Sequence, residues 1–224
     1  MRSVGLSVSR REEYIGILGG SFDPIHFGHI KPCMEVASRY GIDQVRLLPC
    51  KVSPFKQQTI ASDEQRWQMV KMVSSNSDVL EADRRELDRA EPSYSVLSLR
   101  ELAAEAPSKR KLFWLLGMDA LIGLPKWHLA AEIMQHCHVL VLRRRGYELP
   151  LDGDLRTWLE PYLTDDFEAL ERSLSGHIYM TDIEMIDVSS TEIREMIKKN
   201  EQPRFKMPGG IWNYIKRNQL YQNE

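Results

Sequence analysis

The sequence predicts an α/β protein built on a doubly wound parallel sheet. Short apolar runs of strand length alternate with longer segments of helical period along most of the chain, the pattern of repeated β-α-β units. A Gly-Gly turn follows the first apolar run and leads straight into a helical pattern. With 224 residues, 42% of them hydrophobic and 28% charged, the chain has the composition and length of a globular domain with a full core.

The elements follow in order. The first strand is predicted at residues 14–18, and the first helix at 29–40 after the glycine turn. A second strand at 44–48 precedes a helix at 63–74. Ser62 caps that helix, and Gln65, three residues on, stands in capping-box position. A third strand at 79–81 and a helix at 94–105 lead to a fourth strand at 111–116. A helix at 127–136 and a fifth strand at 138–142 follow, then a long helix at 155–174, a sixth strand at 178–180 and closing helices at 191–199 and 208–218. Residues 1–13 read as an N-terminal extension and 14–224 as a single domain. No repeat or low-complexity tract appears, and residues 146–153, bounded by glycines, are the expected mobile surface connection.

Charge and composition narrow the function. A formal net charge of −2 argues against a general nucleic-acid surface, although Arg143-Arg144-Arg145 offers Arg144 as a candidate phosphate contact. Lys109-Arg110-Lys111 reads as a solvated run ahead of a strand. No apolar run reaches membrane-spanning length, and residues 1–13 are polar and charged, so cytoplasmic residence without a membrane partner is expected. The chain is compatible with a homo-oligomer. Cys33, Cys50 and Cys137 are odd in number, widely spaced and expected as reduced thiols. His136-Cys137-His138 invites a metal reading, but it runs into a strand where neighbours alternate between faces, and a structural role is favoured.

The segment Gly19-Gly20-Ser21-Phe22-Asp23-Pro24-Ile25-His26-Phe27-Gly28-His29 carries the chemistry. Two glycines let the backbone approach a bulky anion, and the helix start beyond them turns free N–H groups toward it. His26 and His29, three residues apart, add side-chain donors suited to negative charge that grows in a transition state. A strand, a glycine turn and a helix start make a phosphate site, and an open parallel sheet gathers such turns at the carboxyl ends of its strands. Asp23 is a tempting metal ligand, yet Asp-Pro is a common turn former, and the turn is preferred.

This segment resembles the signature of the nucleotidyltransferase superfamily whose active site carries His-x-Gly-His. Ser189-Ser190-Thr191-Glu192-Ile193-Arg194 is similar to the Ser-Ser-Thr-x-Ile-Arg element of the same superfamily. Arg85-Glu86-Leu87, Pro92-Ser93-Tyr94-Ser95, Leu116-Gly117-Met118-Asp119-Ala120-Leu121 and Leu124-Pro125-Lys126-Trp127-His128 resemble one branch, the bacterial nicotinate-nucleotide adenylyltransferases of NAD synthesis. The resemblance implies a Rossmann-like nucleotidyltransferase fold with C-terminal helices. It implies ATP and nicotinate mononucleotide as substrates, with Mg2+ accompanying ATP and no protein ligand assigned to the metal. His26 and His29 are then catalytic. Gly19, Gly20, Ser21, Phe22, Gly117, Asp119, Ser189, Thr191 and Arg194 are the implied ATP contacts. Trp127 is implied to stack on the pyridine ring, while backbone N–H groups of Ser95 and His128 receive the nicotinate carboxylate. Trp67, Trp114, Trp158 and Trp212 read as packing residues.

One loop departs from the family pattern. Pro49-Cys50-Lys51-Val52-Ser53-Pro54-Phe55-Lys56 has Cys50 where the family usually has asparagine and Phe55 where it has histidine. Lys51 and Lys56 are candidate phosphate contacts that offset the loss, although phenylalanine cannot donate a hydrogen bond. The implied reaction is attack by a mononucleotide phosphate on the α-phosphorus of ATP with release of pyrophosphate. Two alternatives stand beside it: another phosphorylated acceptor, such as nicotinamide mononucleotide or phosphopantetheine, and a non-catalytic nucleotide-binding paralogue.

Overall fold

A computed structural model describes residues 12–51, 59–105, 110–143, 146, 148–149 and 152–222. Among them seven strands form one all-parallel sheet in the order β3-β2-β1-β4-β5-β7-β6. The strands are β1 (Glu13–Gly20), β2 (Gln44–Pro49), β3 (Leu80–Ala82), β4 (Arg110–Gly117), β5 (His138–Arg143), β6 (Leu163–Thr164) and β7 (Ile178–Glu184). The central strands are buried on both faces, which is why they read as continuous apolar runs and not as alternating ones.

One face is covered by α1 (Phe27–Tyr40), α2 (Asp63–Ser74), α9 (Ser190–Lys198) and α10 (Gly209–Arg217), whose apolar sides meet Val45, Leu47, Phe113 and Leu115 of the sheet. The other face carries α4 (Ser95–Glu105), α5 (Met118–Gly123), α6 (Ala130–His136) and α7 (Gly153–Leu159), packed on Ile15, Ile17, Trp114 and Val139. The short helices α3 (Arg85–Asp88) and α8 (Phe167–Arg172) complete the set. The helix expected at 63–74 appears with those bounds, and both arms of its capping box form: Ser62 Oγ accepts from Gln65 N at 3.3 Å, and Gln65 Oε1 from Ser62 N at 2.8 Å.

Sheet order fixes the functional position. β1 runs from β2 on one side to β4 on the other, so chain direction across the sheet reverses between β1 and β4. Pairing of these two strands ends at Ile17↔Trp114, while β1 continues to Gly20 and β4 to Gly117. The strands part there, and a crevice opens at their carboxyl ends.

Three expectations need correction. The helix expected at 155–174 is interrupted: α7 ends at Leu159, a 3-10 turn spans Glu160–Tyr162, and β6 intervenes before α8. Pro161 has no N–H to continue the helix, and Asp166 caps a new one by accepting from Glu168 N at 2.9 Å. The helix expected from 127 begins only at Ala130, because Trp127 is the extended residue closing the turn Leu124–Lys126. Arg110 and Lys111 are not a solvated run. Arg110 pairs with Glu13 at 2.7 Å, and Lys111 is 3% exposed, pairing with Glu12 at 2.9 Å and donating to the Glu171 carbonyl.

Residues of the His-Cys-His segment have separate partners. His136 meets Glu132 at 3.3 Å, Cys137 Sγ contacts the Ile133 carbonyl at 3.4 Å, and His138 Nε2 lies 3.2 Å from the Ser173 carbonyl. Tyr147, Pro150 and Leu151 of the 146–153 connection, and Phe55, Lys56 and Arg144, lie outside the described residues.

Candidate active site

The crevice between β1 and β4 has a volume of about 1550 Å³ and draws its walls from both ends of the sequence. Gly19, Gly20 and Ser21 leave β1 at its floor, and Phe22 follows in the left-handed region with φ 47°. The Phe22 ring turns away from the crevice into the core, fully buried, and presents its edge to His29 with ring centroids 5.1 Å apart. Any contact Phe22 makes with a nucleotide is therefore through its backbone. Asp23 and Pro24 form the expected turn.

His26 is the N-cap of α1 and His29 its third residue, so both rings stand at the helix start. They stack with centroids 3.7 Å apart and planes inclined by 26°. His29 Nδ1 accepts from His26 N at 3.3 Å. His26 is 4% exposed, and burial pushes its pKa down to about 4, which leaves the ring neutral at pH 7. Space for this ring depends on Gly28. A Cβ at that position would lie 2.9 Å from His26 Cε1 and Nδ1 and from the Val188 carbonyl.

The second motif closes the same crevice from α9. Ser189 caps the helix by accepting from Glu192 N at 3.1 Å. Ser190 Oγ donates to the Pro24 carbonyl at 2.9 Å, and Arg194 Nη1 to the Asp23 carbonyl at 2.7 Å. Ser189, Thr191 and Arg194 all line the cavity. Side chains and carbonyls thus tie the two motifs together, although about 170 residues separate them.

On the β4 side, Gly117 caps α5 and Asp119 sits in its first turn, both on the crevice wall. A Cβ at Gly117 would come within 2.7 Å of Asp119 Oδ1 and 2.9 Å of Met185 Sδ, so both side-chain ends would have to shift. Ser95, the first residue of α4, lines the crevice together with Trp127 and His128, and the Tyr94 and His128 rings pack with centroids 4.4 Å apart. Trp114 lines the crevice as well as the core. Lys51 also lines the wall, but its Nζ donates to the Arg89 carbonyl at 3.1 Å and its N–H to Ser93 Oγ at 3.0 Å.

Two parts of the wall had no separate reading from sequence. Glu86, 3% exposed, accepts from Ser98 Oγ at 2.7 Å, and burial raises its carboxyl pKa. The segment from Glu184 to Val188 lines the wall between β7 and α9. Glu86 appears in sequence only within a matched tripeptide, and the 184–188 segment has no motif.

Fold and crevice together define a class, the Rossmann-like α/β nucleotidyltransferases, and the cytidylyltransferase-like family model matches residues 17–196. The chain is 36% identical over 208 residues to a probable nicotinate-nucleotide adenylyltransferase of Aeromonas salmonicida, covering 93% of this chain and 97% of that protein. A relative of the same description from Pseudomonas putida is 36% identical over 216 residues, 96% of this chain and 98% of that one. The chain belongs to this nicotinate-nucleotide adenylyltransferase family. The fold is that of a Plasmodium falciparum nicotinic acid mononucleotide adenylyltransferase complexed with NaAD, with TM-score 0.71 at 17% identity, covering 95% of this chain and 99% of that one. A structure from Vibrio parahaemolyticus described as a putative nicotinate-nucleotide adenylyltransferase gives TM-score 0.61 at 15% identity, covering 95% and 97%.

Proposed function

We propose that the protein transfers the adenylyl group of ATP to nicotinate mononucleotide, giving nicotinate adenine dinucleotide and pyrophosphate in NAD biosynthesis. The observation that carries the reading is the single crevice that residues of the Gly19–His29 and Ser189–Arg194 motifs share with Ser95, Trp127 and His128. Such a lining combines phosphate-binding groups with aromatic side chains, as a reaction between a triphosphate and a pyridine nucleotide requires.

In this reading the acceptor phosphate attacks the α-phosphorus in line, and pyrophosphate departs. The nucleophile is already an anion, so no strong base is needed, and rate comes from alignment and from stabilising charge. N–H groups of Gly20, Ser21 and Phe22 cradle phosphate oxygens. Neutral His26 and its neighbour His29 hydrogen-bond oxygens on which charge develops. Ser189, Thr191 and Arg194 hold the rest of the phosphate chain at the start of α9, and Gly117 and Asp119 meet the adenosine. Trp127 presents its face to the cationic pyridine ring. N–H groups at Ser95 and His128 favour a carboxylate over an amide, whose NH2 would face donors.

Magnesium enters with ATP as part of the substrate, held by phosphates and water. Asp23 is unsuited to hold it, since its carboxylate already accepts from Ile60 N, Ala61 N and the Tyr221 hydroxyl. The test is pyrophosphate release from MgATP with nicotinate mononucleotide, nicotinamide mononucleotide or phosphopantetheine as acceptor. Preference for the nicotinate form is expected. Turnover with phosphopantetheine alone, or ATP binding without turnover on any acceptor, would replace this reading with one of the two alternatives.

A further inference from the structure

Behind the Gly20–Phe22 turn lies a charge that the reaction scheme does not use. Arg66, on the buried side of α2, is 0% exposed. Its Nη1 donates to the Ser21 carbonyl at 2.7 Å and its Nη2 to Asp63 Oδ1 at 2.6 Å, while Nε has no hydrogen-bond partner among the described residues. Asp63 itself is 39% exposed. Taking a guanidinium out of water for one partly solvated partner is costly, and an apolar side chain would fill the space without that cost.

Geometry supplies the reason. The Ser21–Phe22 peptide is trans, so its carbonyl and the Phe22 N–H point in opposite directions. A carbonyl pulled toward Arg66 on the core side turns the Phe22 N–H to the crevice side. Two residues on, Asp23 is pinned in the same buried layer: it is 3% exposed and accepts from Ile60 N at 2.8 Å, Ala61 N at 3.1 Å and Tyr221 Oη at 2.8 Å. The turn is therefore clamped from behind at both ends.

We propose that Arg66, together with Tyr221 acting through Asp23, forms a buried clamp that positions the Gly20–Phe22 turn for the triphosphate of ATP. Arg66 and Tyr221 are positioning residues on the ATP side alone, and Arg66 adds positive charge close behind the turn, where low polarity lets it act on phosphate. The inference rests on reading that turn as the phosphate cradle.

The experiment compares wild type with Arg66→Met, Arg66→Lys and Tyr221→Phe, measuring MgATP binding by calorimetry without acceptor and KM for each substrate. Arg66→Met should weaken MgATP binding and raise KM for ATP about ten-fold or more, with KM for nicotinate mononucleotide within about two-fold of wild type. Arg66→Lys should recover part of the loss, and Tyr221→Phe should show a smaller loss confined to ATP. A folded Arg66→Met protein with wild-type MgATP affinity overturns the clamp, as does an equal loss of affinity for both substrates. Should Arg66→Met fail to fold, Tyr221→Phe decides, because it removes one hydroxyl only, and unchanged ATP affinity there overturns the proposal. Wild-type protein that binds MgATP yet releases no pyrophosphate refutes the proposed reaction, and the clamp is then judged on binding alone.

Discussion

The two histidines show how position sets chemistry. Their rings lie 3.7 Å apart, and two unit charges about 4 Å apart repel by about 4 kcal/mol at an effective dielectric of about 20. Burial settles the matter for His26 by keeping it neutral, so it serves as a hydrogen-bonding group and not as a cation at pH 7. His29→Ala should lower kcat by about 10² or more with little change in Tm, and wild-type turnover in that variant would remove its role. Gly28→Ala should also lower kcat, since its Cβ would press on the His26 ring and on the Val188 carbonyl, and kcat read beside Tm separates chemistry from folding. The histidines and glycines were legible as a motif, because the chemistry needs those residue types at that spacing. The roles of Arg66, Glu86 and Tyr221 were not, because a buried polar group is recognised by its partners, which lie far away in sequence.

Elements were legible where a local signal was strong. The capping box at Ser62 and Gln65 set the start of α2, and the apolar runs set the central strands, whose burial on both faces leaves little else for them to be. The segment 155–174 misled because its apolar spacing suits a helix, while the break at Pro161 and the new cap at Asp166 depend on single residues. Ser62→Ala should cost about 1 kcal/mol, seen in denaturant unfolding as a lower midpoint with unchanged slope. A pH effect belongs to the strand starts and helix caps. His26 at the head of α1 and His138 at the head of β5 both have pKa values pushed down to about 4 by burial. Unfolded, each takes up a proton near pH 6.5, so the unfolded chain binds more protons between pH 6.5 and 4, and stability falls as pH drops through that window. The loss is of the order of 1–3 kcal/mol per histidine. His138→Gln should flatten part of the Tm profile below pH 6.5, and an unchanged slope would show that this histidine does not carry it.

At the scale of the whole molecule, the sheet order turns distant motifs into one crevice, and alternation of strands and helices made that order readable in outline. The same architecture separates the three thiols. Cys33 and Cys137 are fully buried, with burial pushing the Cys33 thiol up to about 12 and that of Cys137 higher, whereas Cys50, still buried at 9% exposure, borders the crevice. A thiol reagent should label Cys50 alone in native protein, more slowly with MgATP, and all three cysteines after unfolding. Rapid native labelling of more than one would contradict the core described above. The bond between Tyr221 and Asp23 spans 198 residues, and Lys206 also holds the head of α1 through its carbonyl. During synthesis, a nascent chain still lacking α10 and the segment after it already contains every group assigned to the chemistry, yet its phosphate turn lacks its final tie. Contacts of such long separation form late, since the loop between them must close first. On the proposed clamp, nucleotide affinity is complete only once the segment carrying Tyr221 has docked against Asp23.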